Sequence, residues 1–284
     1  MGINRKKRKR IWIVCGVAVL LCAVVLPFAL DNRLVIRTYT LETEKINTPV
    51  RIALVTDLHS CRYGDNQSEL LNAITAQKPD MILLGGDIFD DEIDDANTAV
   101  FLAGIAGKYP IYYVTGNHEC WSGAEAFTGK MAILEKYGVS VLSGESVSVS
   151  VGGETITLCG VDDPEMYLLD PDALSYEDSL DLVLSDVDKD TYTVLLAHRP
   201  EHFDTYAARD FDLVLCGHAH GGQWRIPYVM NGLIAPNQGL FPKYAGGLYE
   251  QNDTCMIVSR GLARETTRIP RIFNRPELVI VEIQ

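Results

Sequence analysis

The chain has 284 residues, with 25 Lys and Arg against 38 Asp and Glu, and a formal net charge of −13. A chain of this length suits one α/β or sandwich domain, whose core is large enough to fold without disulfide or metal staples. An acidic body repels polyphosphate backbones, which argues against bulk nucleic acid as a partner; the plainer consequence is that it keeps the domain soluble.

The charge is unevenly placed. Residues 1–10, MGINRKKRKR, carry six basic side chains and no acidic one, so the remainder is more acidic than the total. Residues 11–30, IWIVCGVAVLLCAVVLPFAL, follow without a charge and are long enough to cross a bilayer as a helix. The exit at Pro27-Phe28-Ala29 lacks the small-x-small pattern of a cleaved signal. Cys22 is not preceded by the small residue a lipoprotein signal carries, and the basic cluster contains no twin-arginine pair. The segment therefore reads as an uncleaved anchor. Only Arg33 and Arg37 follow it closely, so the positive-inside rule places residues 1–10 in the cytoplasm and the body outside, in a single-pass protein of the cell membrane.

Residues 31–49 read as a polar connector, and residues 50–284 as one globular domain without internal repeats. Within it, 51–57 (RIALVTD), 80–87 (DMILLGGD) and 111–118 (IYYVTGNH) are apolar runs of strand length. Between them, 67–77 and 94–108 show helical spacing of apolar residues. That βαβαβ order predicts strands of one sheet with helices outside. Residues 139–160 alternate with period two around glycines and predict antiparallel strands. Residues 162–190 are acidic and poorly periodic, and read as a surface excursion with one short helix. Strands resume at 191–198 and 211–218, and TCMIVS and ELVIVEI close the chain.

The chemistry gathers where these strands end. The first apolar run leads into Asp57-Leu58-His59 and the second into Gly86-Asp87. The third leads into Gly116-Asn117-His118-Glu119, the run at 191–198 into His198, and that at 211–218 into His218 and His220. Five of the six histidines stand at such ends. Loops at the carboxyl ends of strands in α/β sheets converge on one rim. Carboxylate, imidazole and one carboxamide, with no thiolate, suit Mn, Fe or Zn ions in a reactive site more than a cysteine-rich structural zinc. A carboxylate can bridge two cations, the arrangement that clamps phosphoryl groups and activates water.

The ordered set D-x-H, G-D, G-N-H-E, H and G-H-x-H resembles the calcineurin-like metallophosphoesterase superfamily over residues 50–284. GHAHGGQWRIP, SRGLARE and IFNRPEL are similar to its membrane-associated bacterial branch. The resemblance implies an α/β, four-layer αββα sandwich behind one N-terminal transmembrane helix. It implies two divalent metal ions, manganese foremost, with Asp57, His59 and His220 on the first, Asn117, His198 and His218 on the second, and Asp87 bridging. A metal-activated hydroxide would attack phosphorus, and His118 would be the catalytic residue that protonates the leaving oxygen or holds the transition state. The implied substrate is a phosphodiester or pyrophosphate in a phosphorylated small molecule or lipid-linked, envelope-associated compound. A non-catalytic binding module and a nucleotide or nucleic-acid phosphodiesterase are the alternatives. All seven ligand positions are filled, which opposes the first, and the acidic body opposes the second. Ala219 and Ala263 stand where the branch often shows Thr and Gly, and neither removes a ligand.

Other residues have plainer readings. Glu119 reads as a structural partner, His202 as a surface helix residue, and Gly221 and Gly222 as a tight turn. Trp121 and Trp224 either line a substrate lip or pack. Arg260, Arg264, Arg268, Arg271 and Arg275 either face a phosphate or form ordinary solvated surface. The sequence has no C-x-x-C pair, Cys15 and Cys22 lie in the anchor, and Cys159 and Cys216 read as small core residues. Cys61 and Cys120, each two residues past a motif histidine, read as thiols unless their loops approach closely enough to bridge.

Overall fold

Apolar runs too short for a buried helix become strands covered on both faces. The computed structural model describes residues 5–169, 174–264 and 269–284. After the helix α1 (Arg5–Ala29), the first half of the chain lays down β1 (Val35–Leu41), β2 (Val50–Val55), α2 (Ser68–Gln77), β3 (Met81–Gly85), α3 (Ala96–Ile105), β4 (Ile111–Val114), α4 (Asn117–Trp121), α5 (Ala124–Lys136) and β5 (Ser140–Val141). The second half supplies β6 (Glu145–Val151), β7 (Glu154–Gly160), α6 (Pro164–Tyr167), α7 (Tyr176–Leu182), β8 (Tyr192–Leu196), α8 (Phe203–Tyr206) and β9 (Leu213–Cys216). It closes with β10 (Ile234–Ala235), β11 (Gly239–Leu240), β12 (Gly247–Gln251), β13 (Thr254–Val258) and β14 (Glu277–Ile283).

Among the described residues these strands form two six-stranded sheets, ordered β1-β14-β2-β3-β4-β5 and β12-β13-β9-β8-β7-β6, plus the small β10–β11 pair. β2 to β5 run parallel, as do β7, β8, β9 and β13. Strand alternation decides which side chain joins which layer. Ile52 and Leu54 point between the sheets, against Leu158, Val194, Leu196 and Ile257. Ala53 and Val55, one residue out of phase, point outward against Leu70, Ile74, Phe101 and Leu134 of the first helical layer. Leu195 and Val214 face Leu180, Phe203 and Tyr206 on the other side. This is the α/β four-layer αββα sandwich. Burying each such Leu, Ile or Phe is worth about 1.5–3 kcal/mol.

Three stretches differ from their sequence reading. The expected connector contains β1, which pairs in parallel with β14 at the edge of the first sheet. Ile36, Thr38 and Thr40 face solvent there, so an edge strand with one wet face has the composition of a linker. The 162–190 excursion holds two short helices among its described residues rather than one, and Leu180 and Val183 are wholly buried beneath it. The 139–160 stretch is antiparallel only from β6 to β7, since β5 pairs in parallel with β4. α1 contains a 23-residue segment long and apolar enough to span a bilayer, with its described side chains exposed until Ala29.

Candidate metal centre

The parallel strands of both sheets bring their carboxyl ends to one rim, and the backbone there is strained. Asp57, His59, Asp87, His218 and His220 have φ of 50°, 46°, 51°, 64° and 46°. Left-handed conformations of non-glycine residues cost about 1–3 kcal/mol each and persist only where surroundings over-determine them. Glu119 supplies much of that constraint. Its buried carboxylate accepts the N–H groups of Asp87 at 3.0 Å, Ile88 at 2.8 Å, Phe89 at 3.0 Å and Gly116 at 2.8 Å. Asp57 Oδ1 accepts the His218 N–H at 2.9 Å, and Asp87 Oδ1 accepts that of His118 at 2.9 Å. Two glycines permit the close approach. A Cβ at Gly116 would meet Asp87 Oδ1 at 2.2 Å, and one at Gly217 would meet Asp57 Oδ2 at 2.5 Å.

The side chains fall into three overlapping groups whose ligand atoms lie within 4.8 Å of one another: Asp57, His59, Asp87 and His220; Asp87, His198 and His218; and, toward the cavity, His59, Asp90 and His118. Asp87 belongs to the first two. Asn117, the first residue of α4, is buried beside them with Oδ1 lacking a hydrogen-bond partner. Asp57 Oδ2, His59 Nε2 and His220 Nδ1 are likewise buried without one. Buried polar atoms left unpaired are costly, so four residues at this rim that each carry one mark a place for a cation.

Hydrogen bonds on the outer ring nitrogens set the tautomers. His59 Nδ1 donates to Asp90 at 3.0 Å and His198 Nδ1 to the Gly85 carbonyl at 2.8 Å, so in each case Nε2 faces the cluster. His218 does the reverse, donating Nε2–H to Asn237 Oδ1 at 2.9 Å and turning Nδ1 inward, 3.2 Å from His198 Nε2. Two nitrogens on one cation, each about 2.1 Å away at tetrahedral angles, would lie about 3.4 Å apart. The donor set fits divalent cations.

Electrostatics point the same way. Burial disfavours the Asp87 carboxylate, but the charges of His198 and His59 outweigh it and hold its pKa well below the ordinary value. Burial also opposes a proton on His198, yet the Asp87 charge and their hydrogen bond pull that imidazole up to about 10. Burial, reinforced by the neighbouring His198 charge, pushes His218 down to about 3. Burial and the His59 charge push His220 well down. The His198 proton thus occupies the position a cation would take, and His218 and His220 present lone pairs.

His118 lies just outside the two groups that share Asp87. Its Nδ1 is 2.5 Å from Asp91 Oδ1, its ring stands edge-on to His59 at 4.3 Å between centroids, and Trp121 flanks it at 4.8 Å. It opens into a cavity of about 550 Å³ that also touches His59, His220, Gln223 and Ile234.

Six of the seven expected ligand residues therefore come together in these groups, while Asn117 is buried at the start of α4, next in sequence to His118, whose N–H reaches Asp87. Other readings change. His202 is half-buried against Tyr176 and Tyr206, with ring centroids 5.3 and 6.3 Å away, rather than a surface residue, and it belongs to none of the three ligand groups. The arginines are structural. Arg260 pairs with buried Glu277, Arg264 stacks on Tyr63 at 3.8 Å, and Arg275 donates to the Arg33 and Leu34 carbonyls. Arg271 is wholly buried and donates to the carbonyls of Ala263 and Arg260, while Arg268 lies outside the described residues. Trp121 lines the cavity, whereas Trp224 Nε1 donates to the Pro270 carbonyl at 3.0 Å. Gly221 and Gly222 turn at φ 62° and 63°. Cys61 and Cys120 are thiols. The sequence reading missed Asp90, Asp91 and Asn237. The acidic run 90–95 directly after Asp87 was the available signal for the first two; Asn237, 19 residues past His218, had none.

Residues 50–222 match the family model for calcineurin-like phosphoesterases. An Aquifex aeolicus metallophosphoesterase is 30% identical over 88% of this chain and 91% of its own length. Phosphodiesterase YaeI of Escherichia coli is 28% identical over 83% of this chain and 82% of its own. A Helicobacter pylori metallophosphoesterase is 30% identical over 77% of this chain, which spans only 55% of that relative. The sandwich and cluster define the class of metal-dependent phosphoester hydrolases. The chain belongs to the calcineurin-like phosphoesterase family.

Proposed function

We propose that the protein is a membrane-anchored phosphodiesterase or pyrophosphatase using two divalent ions, manganese foremost. Asp57, His59 and His220 hold one ion, Asn117, His198 and His218 the other, and Asp87 serves both. The observation that carries this reading is that Asp87 is shared by two groups of ligating side chains, with unpaired buried polar atoms on Asp57, His59, Asn117 and His220. The name phosphodiesterase borne by the Escherichia coli relative supports diester over monoester substrates. Two divalent ions bound there supply charge for the phosphoryl oxygens and lower the pKa of a water. The chain's own groups do the rest. Asp91 fixes Nδ1 of His118, which leaves Nε2 to give a proton to the departing oxygen. Glu119 keeps the Asp87 loop in its strained form, so the ligands need no rearrangement when substrate enters.

Purified full-length protein should hold two transition-metal ions per chain and hydrolyse a phosphodiester or pyrophosphate from a substrate panel. A chain that binds neither Mn, Fe nor Zn would sink the reading. For α1 we infer a membrane span with the body outside the cytoplasm. Protease added to intact, wall-stripped cells should digest the body and spare a cytoplasmic marker; protection of both would reverse the orientation.

A further inference from the structure

The cavity beside the ligand cluster has a mixed lining. His59, Asp90, His118 and His220 are among its polar residues, and Ile93, Ile234 and Ile269 make up an apolar part. The apolar surface continues beyond the mouth along residues 224–241. There Ile226, Tyr228, Val229, Leu240 and Phe241 are exposed, Val229 at 80% and Phe241 at 68%. Singly scattered apolar residues are normal on a surface, but five large ones on one loop are not. Nor is the loop a loose end. The Ile226 N–H donates to the Met230 carbonyl at 3.1 Å, Ile234 pairs with Leu240, and the Phe241 N–H donates to Leu233 at 2.8 Å. This turn holds Tyr228 and Val229 outward.

What the loop faces follows from where it is tied. Trp224 bridges to Ile272, and the Arg225 N–H donates to the Ile272 carbonyl at 2.9 Å. The next residue, Phe273, donates its N–H at 2.7 Å to the carbonyl of Ala29, the last residue of α1 and a buried one. The base of the apolar loop and the end of the apolar helix are thus tied to consecutive residues, Ile272 and Phe273, whose Cα atoms are about 3.8 Å apart. Pro270 and Ile269, which touch the Trp224 indole and the cavity respectively, lie on the same segment.

We propose that loop 224–241 is a second membrane contact. It seats Tyr228, Val229 and Phe241 in the leaflet from which α1 emerges, so that the cavity mouth lies on the bilayer surface. The substrate that this geometry serves is a phosphoester of a membrane lipid, with its phosphate at the ligand cluster and its hydrocarbon part along Ile93, Ile234 and Ile269. A freely soluble ester would gain nothing from those residues or from the seating. The inference rests on α1 as a span and, for the substrate, on the phosphoesterase reading.

The test uses the full chain in phosphatidylethanolamine–phosphatidylglycerol vesicles. p-Benzoylphenylalanine is placed at position 229, at 241, or at 189, whose lysine is exposed before the amino end of β8, away from the rim. Irradiation should give lipid adducts at 229 and 241 and none at 189. No adduct at the loop positions, or equal yield at all three, overturns the seating. A Tyr228→Ser, Val229→Ser, Phe241→Ser triple variant should lose about tenfold or more of its turnover on a vesicle-embedded lipid phosphodiester. It should keep its metals and its rate on soluble bis(p-nitrophenyl) phosphate. Equal loss on both esters would mean that the loop shapes the cavity, and no loss on either would mean that it delivers nothing; both outcomes refute the lipid-surface role. If the unaltered protein hydrolyses neither ester, the phosphoesterase reading has failed, and the adducts still decide the seating.

Discussion

The two halves of the ligand cluster use similar side chains held in different ways. In the half containing Asp57, His59 and His220, a carboxylate, Asp90, orients His59, and the cavity reaches both imidazoles. In the half containing His198 and His218, to which we assign Asn117, the orienting groups are neutral, the Gly85 carbonyl and the Asn237 amide, and both imidazoles are buried. A carboxylate behind an imidazole makes it a stronger donor than a carbonyl does. The first half also has a carboxylate of its own besides the shared Asp87. It should hold its ion more tightly and present it to substrate, while the second half supports from behind.

The comparison breaks most completely at the residue the halves share. Asp87→Asn should remove most bound metal and lower turnover by about 10³-fold or more, as loss of a main electrostatic element does. Metal analysis and kinetics would check it; two ions with normal turnover would show that Asp87 bridges nothing.

His118→Ala probes the cavity side alone. Both ions should stay, and an alkyl phosphodiester should lose about 10²–10⁴-fold, the usual worth of general-acid assistance. A nitrophenyl ester, whose leaving group departs as a stable anion, should lose much less. Equal losses with metal retained would assign His118 to the phosphoryl oxygens instead, and loss of metal would make it a ligand or support.

Asp90→Asn and Asn237→Ala sharpen the division. Each should weaken one ion by about 10–100-fold, and competition with a chelator should show two different ions affected. If both substitutions weaken the same ion, the partition into halves is wrong.

The smallest effect concerns pH. His198 is raised in the folded, metal-stripped protein from its ordinary 6.5 to about 10, so the folded state binds a proton that the unfolded state gives up. That contribution to stability is complete below 6.5 and is lost as pH rises through about 10. The melting temperature of stripped protein should therefore fall across this window. Saturating Mn²⁺ should flatten the decline, because the bound ion displaces the proton. A rise instead would mean that His198 carries no proton.

Much of the site was legible because its chemistry is local to strand ends. Asp57 and His59, Asn117 and His118, and His218 and His220 each sit within four residues of an apolar run, the last two pairs with glycines beside them. The sheet that carries β2, β3 and β4 could be read for the same reason. β1 could not, since an edge strand with one face in water looks like a linker. Arg271 could not either: its burial depends on carbonyls at Arg260 and Ala263 folding around it.

The sequence by itself determined the residue types available for cations, their order along the chain, and an apolar helix at its start, because composition and short spacing encode these directly. The tertiary structure alone decided the division of labour around them. Glu119 became the brace of the Asp87 loop, Asp90 the partner of His59, and Asn237 that of His218, because each acts through a contact between separate loops. The link from Phe273 to Ala29, which puts the cavity beside the helix, spans nearly the whole chain. No local pattern can encode such a contact, since it exists only once both sheets have packed.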